Sequence, residues 1–280
     1  METTAETRTR KSQYYQFVPF GILVAVYLPV LYDLSLDWYR DANYSHGFLV
    51  PLVSGYLLWK DRARLAGLPR IQSTWGLPII ILGMALLVLG TCATEYFTVR
   101  LSFVITLFGL VYYLYGRDLA KQSWFAFFFL LFMIPIPYII YYAATFPMQT
   151  LATKITVATL NIIGAEAVRQ GNIIHLQGHS LEVAEACSGI RSLVSLLALG
   201  ALFAYLTQKR FAAQLVLLVS TIPIAVIANV ARVLLTALLV STIDVEVTSE
   251  PWHSVMAMSV FVFSFICLST LGLLLKRIFQ

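Results

Sequence analysis

At 280 residues the chain is long enough for one sizeable domain, yet 59% of it is hydrophobic and only 12% charged, with mean hydropathy +0.81. A soluble domain carries about 25% charged residues, so a water-soluble globule is excluded and lipid must cover the surplus apolar surface. The net charge of +5 is scattered over short loops, which excludes a concentrated nucleic-acid surface and leaves the lipid bilayer as the expected surroundings.

In chain order, residues 1–13 are polar and read as a cytoplasmic segment. The apolar run Phe17–Tyr32 is followed by Asp33 and Asp37 rather than a small-residue cleavage site, so it reads as a first span and not a signal peptide. Seven more spans are expected at Gly47–Trp59, Trp75–Ala93, Leu101–Tyr115, Trp124–Tyr142, Ser188–Leu206, Phe211–Ile243 and His253–Leu275. All five tryptophans fall at or near proposed span ends, where amphipathic rings settle at the headgroups.

With the N-terminus inside, only Arg40, Arg100, Lys154, Arg169, Arg191 and Arg232 fall on the outer side or its span ends. The other 13 of the 19 Lys and Arg are cytoplasmic. Phe146–Gly164 is apolar but interrupted by Gln149, Thr150, Thr153, Lys154 and Asn161. Counted as a span it would invert the charge asymmetry, so it reads as an interfacial or re-entrant helix on the outer face. Val168–Val183 alternates apolar residues around Gln177-Gly178, the signature of a short β-hairpin. The expected fold is an all-α polytopic membrane protein of about eight transmembrane helices, N-in/C-in. It would form one integral membrane domain over residues 1–280, with 144–187 extracytoplasmic.

Three cysteines are too few for a disulfide framework. Cys92 and Cys267 sit in apolar runs as packing residues. Cys187 differs, standing where the outer loop meets a membrane helix in Glu185-Ala186-Cys187-Ser188-Gly189-Ile190-Arg191. Orphan N–H groups and the dipole at a helix start favour a thiolate, and Arg191 one turn on adds positive charge.

Arg232 lies inside a long apolar run with Asn229 on the same face. An arginine in lipid costs at least ~2.5 kcal/mol and is kept mainly when paired or functional. His253 follows Glu250-Pro251-Trp252 at the start of the last helix, where an imidazole could take a thiol proton near neutral pH. Cysteine, arginine and histidine together form an acyl-transfer set of nucleophile, oxyanion stabiliser and base. His46, in Tyr44-Ser45-His46-Gly47-Phe48-Leu49-Val50-Pro51, reads equally as a helix-capping or a substrate-positioning residue.

Through the Cys187, Asn229–Arg232, His253 and Tyr44–Pro51 blocks, the sequence resembles the exosortase/archaeosortase family of membrane cysteine transpeptidases. The likeness runs from about Asp37 to the end, and the histidine at 253 resembles the bacterial branch. It implies Cys187 as nucleophile, Arg232 as oxyanion or positioning group and His253 as general acid/base. Glu185, Ser188, Arg191, Asn229 and His46 would be supporting residues.

The implied partners are exported, membrane-anchored proteins whose C-terminal sorting signal joins a Pro-Glu-Pro-type motif, a membrane helix and a basic tail. An acceptor nucleophile of unknown identity completes the reaction. The resemblance also implies the bacterial cytoplasmic membrane, an extracytoplasmic site and no cofactor. Glu182, Glu185 or the hairpin is expected to help admit the signal. Two alternatives stay open: a metal-handling protein using His46, His175, His179, Cys187 and His253, and a transporter.

Overall fold

The computed structural model describes residues 17–176, 179–183, 189–243 and 252–279. It is mostly helical and divides between Ile136 and Pro137 into two compact units. The first holds α1 (Val18–Arg40), a 3-10 segment (Ala42–Phe48), α2 (Leu49–Lys60), α3 (Arg62–Ala66), α4 (Gly76–Cys92), α5 (Tyr96–Tyr115), α6 (Arg117–Phe129) and a 3-10 turn (Leu130–Met133). The second holds α7 (Tyr138–Ile162), β1 (Val168–Gln170), β2 (Ile173–Leu176), β3 (His179–Glu182), α8 (Gly189–Thr207), α9 (Phe211–Ile243) and α10 (Trp252–Phe279).

Four described helical stretches are long and apolar enough to cross a bilayer: Val18–Arg40, Tyr96–Tyr115, Phe211–Ser241 and Met258–Ile278. Arg117–Met133 with Tyr138–Ile162 makes a fifth if the two count as one broken span, while Gly76–Cys92 and Leu193–Thr207 are apolar but shorter. The chain is thus a multi-pass membrane protein.

The expected span Trp124–Tyr142 is corrected, because the helix breaks within it. Pro135 and Pro137 lack an N–H and push the residues before them out of the helical region, and Ile134 is extended at φ −89°, ψ 121°. The helix then restarts at Tyr138 and runs through Pro147 to Ile162, so the interfacial helix expected at Phe146–Gly164 begins two turns earlier. Three of the polar residues in this helix bond to neighbouring chain. Asn172 Nδ2 donates to Gln149 Oε1 (3.0 Å), Thr150 Oγ1 donates to Asn172 Oδ1 (3.2 Å), and Asn161 exchanges hydrogen bonds with both backbone groups of Ala167.

In the first unit, Gly76, Gly83 and Gly90 form a buried stripe along α4 that lets α5 approach its backbone. A Cβ at Gly83 would collide with Thr106. The fully buried Tyr27 ties α1 to α5 through Ser102 Oγ (3.0 Å) and Thr106 Oγ1 (2.9 Å).

The same two helices carry an ion pair, Arg100 Nη2 to Asp37 Oδ2 at 2.5 Å. Its members are unequally buried, 7% exposed for Arg100 and 44% for Asp37. Losing Asp37 strands a buried guanidinium, whereas losing Arg100 leaves a carboxylate that reaches water. Asp37→Ala is therefore expected to cost about 3 kcal/mol and Arg100→Met about 1 kcal/mol. Thermal unfolding in detergent checks the ranking, and a larger loss in Arg100→Met would contradict it.

In the second unit the strands form an antiparallel sheet in the order β1-β2-β3, with Leu176 opposite His179, so the expected hairpin forms and gains a third strand. Its turn, 177–178, lies outside the described residues. Ile174, Leu176, Leu181 and Val183 pack with Ala152 and Leu160 of α7 and with Val233 and Ala237 of α9. A separate core of Leu196, Ala204, Leu217, Ala225, Leu268 and Leu275 joins α8, α9 and α10.

Candidate functional site

Arg232 falls two-thirds along α9. Its residue is 4% exposed and Asn229, one turn earlier, 3%. The Asn229 Oδ1 is buried with no hydrogen-bond partner among the described residues. A buried amide oxygen left unpaired costs about 1–3 kcal/mol, and such an atom is a ready acceptor for an incoming N–H. The face of α9 just past Arg232, through Val233 and Ala237, is covered by the sheet.

Cys187, Glu185 and Ser188 lie outside the described residues. Arg191 belongs to the first turn of α8 and His253 to that of α10.

Helix registers relate these positions. A three-residue connection makes α8 and α9 antiparallel, and their backbones close up at Gly200, where a Cβ would strike the Thr221 side chain. Gly189 lies eleven residues before Gly200 and Arg232 eleven after Thr221, so in this antiparallel pair both fall toward the same end. The helix α10 runs back alongside α8. Gln208 Nε2 donates to the Gly272 carbonyl (2.9 Å), and the rings of Phe203 and Phe265 meet edge-on at 5.9 Å. Both contacts run in the same chain direction, so α10 is parallel to α8 and its first turn, with His253, lies toward the same end as the start of α8. The start of α8, the start of α10 and Arg232 thus share one end of the three-helix packing.

His46 belongs to the first unit, outside the spans. Its Nε2 donates to the Phe132 carbonyl (3.2 Å), which can only accept, and its ring lies 6.4 Å from that of Tyr44. Gly47 beside it is obligatory, since any Cβ there would meet the Trp38 indole, itself held by donation to Met133 O (2.8 Å). Burial holds the His46 pKa below 6.5, and backbone contacts at Phe132 and Asn43 partly offset this.

Unfolded, the ring titrates near 6.5, so as pH falls below that value the unfolded chain takes a proton first. Stability is lost until the folded pKa is passed. The difference in Tm between wild type and His46→Gln is expected to shrink by a few degrees from pH ~7 to ~5. Parallel curves would refute this.

Among the described residues no group of three His, Cys, Asp or Glu could hold a metal ion. His175, one of the metal candidates, has both ring nitrogens engaged, by Ser180 Oγ (2.9 Å) and Gln170 Oε1 (3.1 Å). The third strand of the sheet and the Asn161 and Asn172 contacts that brace it escaped the sequence reading. Their signal was present as asparagines near glycine turns.

A family model described as transmembrane exosortase matches residues 38–270, most of the chain. Neither the curated proteins nor the solved structures contain a match.

Proposed function

This chain belongs to the transmembrane exosortase family, and from that premise we propose that it is a cysteine transpeptidase. It cleaves the C-terminal sorting signals of exported proteins, made of a Pro-Glu-Pro-type motif, a membrane helix and a basic tail. In this reading His253 takes the Cys187 thiol proton and the thiolate attacks the scissile carbonyl carbon. A C–S bond forms, and Arg232 balances the oxyanion. The C–N bond then breaks, the departing amine takes the proton from His253, and the substrate is held as a thioester. An acceptor amine or water attacks the thioester and releases the thiolate.

What supports this reading is that Arg232 and the first turns of α8 and α10 all lie toward one end of the α8–α9–α10 packing. Cys187 stands two residues before Gly189 and four after Val183 in the sequence. A buried arginine beside an unpaired amide acceptor suits binding of a peptide group that brings both a developing oxyanion and an N–H. Asn229 is accordingly assigned to the substrate backbone. Arg191 and the start of α8 are assigned to lowering the thiol pKa, with Ser188 in support. Glu182 and Glu185 are assigned to admitting the signal, and His46 to supporting it.

The reading includes eight spans, with the broken pair Arg117–Met133 and Tyr138–Ile162 counted as one, both termini cytoplasmic and the site at the extracytoplasmic face of the bacterial cytoplasmic membrane. The distribution of Lys and Arg supports that sidedness.

The test is co-expression of the full chain with a tagged exported protein bearing such a signal. Shortening on an immunoblot is expected, together with a hydroxylamine-labile adduct at Cys187. Undiminished shortening by Cys187→Ala would sink the assignment.

A further inference from the structure

At the end of the second unit opposite Arg232 lies a cavity of about 540 Å³ whose lining includes Lys209, Arg210, Lys276, Tyr205, Thr207 and Gln208. Two of the cations come from the α8–α9 connection and the third from the last turn of α10. The connection is fixed by its own hydrogen bonds. The buried Gln208 donates from Nε2 to Gly272 O (2.9 Å) and Thr207 Oγ1 (3.3 Å), while its carbonyl accepts from Gln214 Nε2 (2.8 Å). Lys209 and Arg210 are therefore presented from an anchored turn beside Lys276. No Asp or Glu occurs in 189–243 or 252–279, so these helices supply no carboxylate to neutralise the cavity.

Its position is equally particular. Arg210 immediately precedes the apolar stretch Phe211–Ser241, and Lys276 is near the end of Met258–Ile278, so the cavity sits where hydrocarbon gives way to headgroups. Leu206, Phe211, Leu273 and Leu274 are exposed around it, giving acyl chains apolar surface directly below the cations.

We propose that this cavity binds a phosphate-ester anion, namely the headgroup of an anionic phospholipid. Its phosphate would be held by Lys209, Arg210 and Lys276, and its tails would lie along α9 and α10. Charge-assisted N–H···O bonds to phosphate oxygens are the contacts these side chains make best, and clustered basic residues at a membrane boundary favour anionic lipids by about fivefold per charge. The site is independent of the proposed cleavage chemistry.

The test uses full-length protein purified in mild detergent and titrated with phosphatidylglycerol, phosphatidylcholine or inorganic phosphate, with bound species counted by native mass spectrometry. Phosphatidylglycerol is expected to be retained about 10²-fold over phosphatidylcholine, about fivefold for each of the three cations. Lys209→Gln/Arg210→Gln/Lys276→Gln should lose that preference, and Lys276→Gln alone, at an exposed position, should lose part of it. The charge-keeping Lys209→Arg/Lys276→Arg should keep it, and so should the remote Lys154→Gln/Arg169→Gln, on α7 and β1 toward the sheet end of the same unit. Retention by the triple variant, or equal loss in the remote variant, overturns the site. Saturation by inorganic phosphate with no lipid preference overturns the lipid assignment and makes the ligand a soluble phosphate.

Discussion

Cys187→Ala is expected to slow cleavage of a sorting-signal substrate by at least about 10³-fold while leaving the protein folded. Alanine removes the atom that would hold the acyl group, and no neighbouring hydroxyl substitutes for it. Ser188 is adjacent, but an alcohol keeps its proton near neutral pH where a thiol at a positively charged helix start gives it up. Cys187→Ser should therefore be almost as inactive. The measurement is the initial rate of substrate shortening at matched enzyme levels, with thermal stability followed in parallel. A fall of less than tenfold with the fold intact would remove Cys187 as nucleophile and leave the family's chemistry to be sought elsewhere in the chain.

Arg232→Lys is expected to lower the rate by about 10²–10³-fold, the loss found when one oxyanion donor is removed. Lysine keeps the positive charge, so the buried surroundings of residue 232 do not gain an uncompensated partner. What disappears is the planar fork that meets two oxygens at once. Arg232→Ala is a poorer probe, because breaking a buried charged contact costs about 3–5 kcal/mol of stability and confuses folding with function. The division between kcat and KM is informative. A loss carried by kcat assigns Arg232 to the developing oxyanion, and one carried by KM assigns it to holding the ground-state signal. An unchanged kcat/KM in Arg232→Lys would refute both roles.

Helical membrane character was legible from composition, because no arrangement of 12% charged residues could wet this much apolar surface. The hairpin was legible too, through alternation around Gln177-Gly178. Helix ends were less so. Hydropathy alone runs straight through Trp124–Tyr142, and only the backbone restrictions of Pro135 and Pro137 reveal the break. Polar residues in α7 suggested water, since a sequence does not say that Gln149 and Thr150 meet Asn172 of the sheet's first turn.

Arg100 shows the same limitation. It counted only as a charge at a span end, while its pairing with Asp37 depends on how α1 and α5 pack. For the candidate site, the sequence singled out Arg232 and the helix starts by cost and position. The registers that align them rest on Gly200 and Gly272, two glycines that carry no chemistry of their own and so gave no signal.

The close approach at Gly200 also makes α8 a ruler. Because that point is locked against Thr221, the stretch from Gly200 back to Gly189 sets how far the helix extends and which way its first turn faces. One added residue there would lengthen it by about 1.5 Å and rotate its start by about 100°, swinging the attachment point of Cys187 around the helix without altering any residue near Arg232. Side chains along this stretch can change without moving that start, whereas a change in its length cannot.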